Sequence, residues 1–252
     1  MNKWTLITGA SSGIGREFAR VFAGHGWNVA LTGRDSGRLE PLADSLQSEY
    51  RVSTRVVQAD LSVPGAAAEI FDRLRATPIT ALVNNAGFGQ RGRFDMLTTH
   101  SAMIQVNVTA LVELTHLFLK PMLGRRAGHI LNVASVAAFQ PGPLMAIYYA
   151  TKSFVFSFSC ALAEELRGTG VTVTVLCPGH TKTEFHARAG IQHPAKWVPA
   201  LSARRVAEAG YRAMCRGKTV VIPHPVYKLL TWISRALPAT FTAQAVRKHI
   251  EG

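Results

Sequence analysis

Residues 4–15 read W-T-L-I-T-G-A-S-S-G-I-G, and this stretch decides the fold. Trp4 to Thr8 is an apolar run of strand length. Gly9, Gly13 and Gly15 punctuate it, and Phe18, Val21 and Phe22 then recur at helical spacing. A strand, a glycine-rich turn and a helix start, in that order, make an anion site. Unpaired backbone N–H groups converge there, and the helix dipole favours negative charge. The glycines let a pyrophosphate approach the backbone. Their spacing is T-G-x-x-x-G-x-G rather than G-x-G-x-x-G.

Outward from this unit the alternation repeats. Strands are predicted at 27–32, 51–57, 81–84, 128–135, 171–177 and 219–222. Helices are predicted at 36–50, 63–75 and 101–123, from Tyr148 to Leu166, and from a Ser202 cap to Met214. Such alternation predicts an α/β chain with a Rossmann-type, doubly wound parallel sheet. No second domain or repeat is visible, so residues 1–252 read as a single domain. A helix over about 226–237 is also expected, with Val226, Leu229, Leu230, Ile233 and Leu237 at helical spacing and Lys228 and Arg235 alongside. It reads as a partner helix, an interfacial membrane helix or a helix packed on its own chain.

Composition narrows the class. Hydrophobic residues make up 48% and charged residues 17%, as in globular rather than disordered chains. No uninterrupted apolar run reaches the ~18 residues of a bilayer span. Met1-Asn2-Lys3 leads directly into the first strand, so no secretory leader is expected. Cys160, Cys177 and Cys215 form no C-x-x-C, which suggests neither a disulfide framework nor zinc; they read as small buried hydrophobes in a reducing cytoplasm. His180, His186 and His193 lack metal-ligand spacing, so no metal is expected. The net charge of +13 favours anionic ligands. No nucleic-acid motif accompanies it, and no nucleic-acid partner is expected.

The candidate chemistry lies at residues 147–153, I-Y-Y-A-T-K-S. On a helix, Tyr148 and Lys152 project from one face, a turn apart. A tyrosine ionises near ~10, and a neighbouring ammonium lowers that value. The pair suits a tuned proton donor and acceptor. Ser135 lies thirteen residues upstream of Tyr148, after the run I-L-N-V-A.

Thr8–Gly15, Asp60-Leu61, N-N-A-G at 84–87, Asn107, Ser135, Tyr148, Lys152 and Pro178-Gly179 appear in an order and spacing that strongly resemble the short-chain dehydrogenase/reductase family, over nearly the whole chain. The resemblance implies a catalytic set of Asn107, Ser135, Tyr148 and Lys152. Asn107 would kink its helix and hold a water linking Lys152 to solvent. It implies cofactor contacts from Gly9, Ser11, Ser12, Gly13, Ile14 and Gly15 at the phosphates and from Asp60 and Leu61 at the adenine. Asn85, Ala86 and Gly87 would pass under the cofactor while Asn84 braces the sheet. Tyr148, Lys152, Pro178, Gly179, Thr181 and Thr183 would flank the nicotinamide.

Gly33 stands where an acidic residue would hold the ribose of NAD, and Arg34 follows with a guanidinium suited to phosphate. The implied cofactor is NADP(H), with Arg38 as a further contact and Asp35 as a competitor for Arg34. The implied reaction moves a hydride between the nicotinamide and a carbonyl or secondary alcohol. The apolar loop 136–146 would wall a pocket for a hydrophobic ketone or aldehyde, and 185–200 would form a lid. An NAD-linked alcohol dehydrogenase and a non-catalytic NADP(H) sensor are the alternatives. Relatives commonly pair through the Tyr148 helix and the long helix before it, so a homo-oligomer is expected.

Overall fold

The computed structural model describes residues 3–191 and 199–251. Strand β1 (Trp4–Thr8) is buried throughout. It turns through Gly9 and Gly13, at φ of 64° and 55°, into α1 (Gly13–Gly24). Then come β2 (Asn28–Gly33), α2 (Ser36–Tyr50), β3 (Thr54–Gln58), α3 (Ala66–Arg73), β4 (Ile79–Asn84), α4 (His100–Ile104) and α5 (Ala110–Arg125). The chain continues through β5 (Gly128–Val133), α6 (Ala146–Glu165), β6 (Val171–Leu176), β7 (Thr181–Lys182), α7 (Phe185–Arg188) and β8 (Leu201–Ser202). It closes with α8 (Ala203–Cys215), β9 (Val220–Val221), α9 (Pro225–Ala236) and α10 (Ala239–Glu251).

Seven parallel strands form one sheet in the order β3-β2-β1-β4-β5-β6-β9. Successive residues of each central strand serve opposite layers. Ile7, Val83 and Leu131 pack with Phe18 and Phe22 of α1, Leu39 of α2 and Met214 of α8. Leu6, Leu82 and Ile130 pack with Ile70 of α3, Leu114 and Phe118 of α5 and Leu162 of α6. A sheet buried on both faces explains why its strands read as unbroken apolar runs. Strand order reverses between β1 and β4, which opens a crevice at their carboxyl ends.

Several boundaries differ from the expected ones for local reasons. Strand β3 starts at Thr54 rather than 51 because Arg51 adopts φ 56° and closes α2. Helix α3 starts at Ala66 rather than 63. The Asp60 carboxylate instead accepts the Ser62 N–H at 2.9 Å and the Ser62 hydroxyl at 2.8 Å, and Gly65 turns at φ 86°. The expected helix at 101–123 is two α segments joined by a π turn, Gln105–Thr109. Together, His100–Arg125 has the length and hydropathy of a membrane span, but its face bearing Met103, Ala110, Leu114 and Met122 is buried in the protein. The β7–β8 pair and α10 were not anticipated. Of the three cysteines expected to be buried, Cys177 is, Cys160 is half-buried and Cys215 is exposed. Of the expected lid at 185–200, residues 192–198, with His193, lie outside the described residues, and α7 forms its first part.

Candidate active site

Helix α6 carries Tyr148 and Lys152 inward, 8% and 5% exposed. The Lys152 ammonium lies 5.9 Å from the Tyr148 ring centre and donates to the Val133 carbonyl, at the end of β5, at 2.8 Å. Ser135, two residues later, caps a 3-10 turn at Val136–Phe139, its Oγ accepting the Ala137 N–H at 3.1 Å. Burial pushes the Tyr148 phenol above its ordinary range, and a hydrogen bond with Ser135 pulls it back. Burial pushes Lys152 down to about 8. The expected lowering of Tyr148 by Lys152 is not found: burial outweighs the Ser135 hydrogen bond and the phenol stays raised, while the lysine nitrogen donates to the Val133 carbonyl.

Asn107 is buried at the middle of the π turn. Its Nδ2 donates to the Phe88 carbonyl at 2.9 Å and to Thr151 Oγ1 at 3.1 Å, and its Oδ1 accepts the Phe88 N–H at 3.0 Å. One amide therefore joins the π turn, the loop after β4 and α6. A Cβ on Gly87 would stand 3.1 Å from Asn107 Oδ1 and 3.3 Å from Lys152 Nζ. The backbone at Gly87 thus passes directly over both groups.

The N-N-A-G segment is fastened on both sides. Thr8 Oγ1 accepts the Asn85 and Ala86 N–H groups at 3.0 and 2.9 Å. The Asn85 amide donates to the Thr8 and Gly9 carbonyls, at 2.9 and 3.2 Å. Asn84 does brace the sheet, donating to Asn132 Oδ1 at 2.9 Å and Thr115 Oγ1 at 3.0 Å. Gly15 is a packing position: a Cβ there would meet the Gly9 carbonyl oxygen at 2.2 Å. The other residues expected at the cofactor, from Gly9 to Thr183, line one continuous cavity of about 1000 Å³.

That cavity runs from Arg34, Asp60 and Leu61 past Ser11, Ser12, Gly13 and Ile14 to Ser135 and Tyr148. Arg34 is exposed at its rim. Asp35 does not compete for it: the carboxylate caps α2 and pairs with Arg38 at 3.2 Å. Arg38 is also held by Glu184 at 3.3 Å. Burial raises the Asp60 carboxyl, but the Ser62 hydrogen bonds and the Arg34 charge together hold it below the usual range. Pro178 and Gly179 form the opposite wall. Thr181 donates to the Gly179 carbonyl at 3.0 Å, and Thr183 leans on Gly13, where a Cβ would touch its methyl at 3.3 Å.

Beyond Tyr148 the cavity becomes apolar. Met145 of the loop after Ser135, Tyr149 of α6, Phe185 of α7 and Ile191 line it. Helix α9 adds Tyr227, Leu230, Thr231 and Ser234, and α10 adds Phe241, Thr242, Val246 and Ile250. The Tyr227 hydroxyl accepts the His180 N–H at 2.8 Å and donates to the Pro199 carbonyl at 3.2 Å. The α10 wall escaped the sequence reading, although Thr242, Val246 and Ile250 recur at four-residue spacing. The His180 and His186 rings meet edge to face at 4.5 Å beside the cavity. Among the described residues, no three His, Cys, Asp or Glu side chains cluster as metal ligands.

A doubly wound sheet with a glycine-rich first turn, and a serine, tyrosine and lysine at the inner end of its crevice, defines a class of dinucleotide-binding oxidoreductase folds. A family model described as short chain dehydrogenase matches residues 3–193, and the chain belongs to that family. It is 37% identical over 182 residues to 17-beta-hydroxysteroid dehydrogenase type 3 of Mus musculus, covering 71% of this chain and 60% of the mouse protein. It is 40% identical over 192 residues to sulfoacetaldehyde reductase 2 of Chromohalobacter salexigens, covering 73% and 75%. The chain spans about 60% of the length of the steroid dehydrogenases it matches. Among solved structures, a short-chain dehydrogenase from Sphingobium yanoikuyae in complex with NADPH superposes with a TM-score of 0.84 at 36% identity, covering 92% of this chain and 91% of that one.

Proposed function

We propose that this chain is an NADPH-dependent carbonyl reductase acting on hydrophobic ketones or aldehydes. The observation that carries the reading is the single cavity joining an Arg34 rim to the Ser135–Tyr148–Lys152 cluster. The residues fit NADP(H). Gly9 and Gly13 adopt positive φ, α1 starts at Gly13, and no carboxylate occupies position 33 to repel a 2′-phosphate. Ser11 to Ile14 would hold the phosphates, Arg34 the 2′-phosphate, Asp60 and Leu61 the adenine, and Lys152, Gly179 and Thr183 the nicotinamide half. The bound cofactor supplies or accepts the hydride.

The chain's own residues handle the proton and the orientation. Ser135 and Tyr148 share a hydrogen bond, so a carbonyl oxygen placed between them receives two donors. Tyr148 gives its proton to that oxygen as negative charge develops. Lys152 supplies positive charge behind the phenol. Asn107 positions Lys152's surroundings through Thr151 and Phe88, and its widened turn is where we place the relay water. The apolar outer cavity favours a hydrophobic substituent on the carbonyl. The 17-beta-hydroxysteroid dehydrogenase relatives support that class by analogy.

We further place the protein in the cytoplasm and assign it a homo-oligomeric state through α6. There Phe154 is exposed and stacks on Phe158 at 5.8 Å. The test of the reaction is fluorescence titration with NADPH and NADH, then assay of a panel of ketones and aldehydes. Tight NADPH binding with ketone-dependent oxidation is expected. Tight binding without turnover across the panel would favour a cofactor sensor, and a preference for NADH would remove Arg34 from its role.

A further inference from the structure

Helix α9 has two apolar sides and only one of them is used. Tyr227 and Thr231 are buried against the body, with Leu230 and Ser234 beside them on the cavity wall. On the other side Leu229 and Trp232 are 59% and 71% exposed, and Val226, Ile233 and Leu237 are also exposed. Phe241, at the start of α10, extends the same apolar surface. At 100° per residue, Lys228 and Arg235 fall together on one margin of the exposed apolar arc. Arg247 and Lys248 are exposed on α10, and residues 223–250 contain no Asp or Glu. Leu237 and Phe241 both line the cavity and stand exposed, so the outer apolar face runs continuously into the cavity mouth.

We propose that the outer face of α9 and the start of α10 dock on an anionic lipid surface. Leu229, Trp232, Ile233 and Phe241 enter the acyl boundary, while Lys228 and Arg235 reach the lipid phosphates. An amphipathic helix with aromatic and aliphatic residues on one side and cations at its edge gains apolar burial and charge attraction at such a surface. The net charge of +13 adds attraction to an anionic leaflet and none to a neutral one. Docked in this way, the cavity mouth at Leu237 and Phe241 faces the bilayer. A hydrophobic carbonyl dissolved there would reach Tyr148 without crossing water, a consequence that rests on the reductase reading, whereas the docking does not.

The test is sedimentation of the purified full chain with vesicles of equimolar phosphatidylglycerol and phosphatidylcholine, and with phosphatidylcholine alone. Binding to the mixed vesicles is expected, with weak binding to the neutral ones and loss at high salt. L229S/W232S and K228E/R235E should each lower partitioning at least about tenfold, and neither pair contacts the catalytic cluster. A vesicle-induced blue shift of tryptophan emission that W232F abolishes and W197F leaves in place would locate the contact. NADPH binding, followed without vesicles on the same preparations, keeps failure of the reductase reading separate. Equal binding to both vesicle types overturns the charge argument. No binding to either overturns the proposal, as does a dimer dissociated by L229S/W232S, which would make the face a contact between copies of the chain.

Discussion

Tyr148 and Lys152 are both buried, and burial moves their proton affinities in opposite directions. Tyr148→Phe keeps the ring and removes the proton. Turnover is expected to fall by about 10²-fold or more, with NADPH affinity by fluorescence nearly unchanged; full activity would sink the mechanism. For Lys152 the sign of the stability effect follows from its lowered value. Below about pH 8 both folded and unfolded chains carry the proton, and the cost of burying it is fully present. Between about 8 and the ordinary 10.5 the folded lysine is neutral while the unfolded one is charged. The unfolded state then binds more protons, so stability rises with pH. Melting temperatures of the wild type and Lys152→Met across that window are expected to converge or cross as this relief appears in the wild type alone. Arg34→Asp is expected to weaken NADPH binding at least about tenfold through the lost phosphate contact, while NADH binding changes little.

At the scale of elements, the π turn at Gln105–Thr109 is held by one amide. Asn107→Ala strips three hydrogen bonds and leaves the Phe88 N–H and carbonyl without that partner. A loss of about 2–4 kcal/mol is expected in urea unfolding. Gly15→Ala drives a Cβ to 2.2 Å from the Gly9 carbonyl oxygen, and weakened NADPH binding is expected as the phosphate turn shifts. These elements also mark what could be read from the residues. Strand–helix alternation was legible because both layers of the sheet demand apolar residues at their own periods. The Tyr148 and Lys152 pair was legible because both lie on one helix. Apolar spacing did not register the π turn, since one widened turn hardly disturbs it; only the family resemblance placed a kink at Asn107. Helix α10 was missed because its inward face is built partly from Thr242 and Ala245, which carry little hydrophobic signal. The partner of Asp35 was also hidden: Arg38 is three residues on, and only the cap geometry of α2 selects it over Arg34.

Across the whole molecule, parallel strands bring every loop that bears chemistry to one edge. The first turn, N-N-A-G, Ser135 and Pro178-Gly179 each follow a strand's carboxyl end. The helices then differ in what remains uncovered. Phe154 on α6 faces away from the cavity, 42% exposed. Phe154→Asp would place a charge in the proposed oligomer contact. A shift to monomer by sedimentation velocity is expected, with the fold retained by circular dichroism; an unchanged mass would move the contact elsewhere. The family match ends at residue 193, whereas α9 and α10 build much of the apolar wall from beyond it. Cofactor handling was therefore readable from motifs, and substrate choice was not.

Asn84 and Asn132 face each other in the paired register of β4 and β5. Around them the strands are largely Val, Leu and Ile, residues that would exchange places with little penalty. A slip of two residues would keep every side chain on its own face yet move one strand by about 6.6 Å. Apolar packing alone discriminates poorly against that error. The amide pair does discriminate, since a slipped strand would set each buried amide against hydrocarbon. Asn84 runs directly into the loop that Asn107 grips, and Asn132 lies three residues before Ser135. The two asparagines act as a key in a keyway, and the alignment they enforce is that of the cofactor's floor with the serine that must meet the substrate.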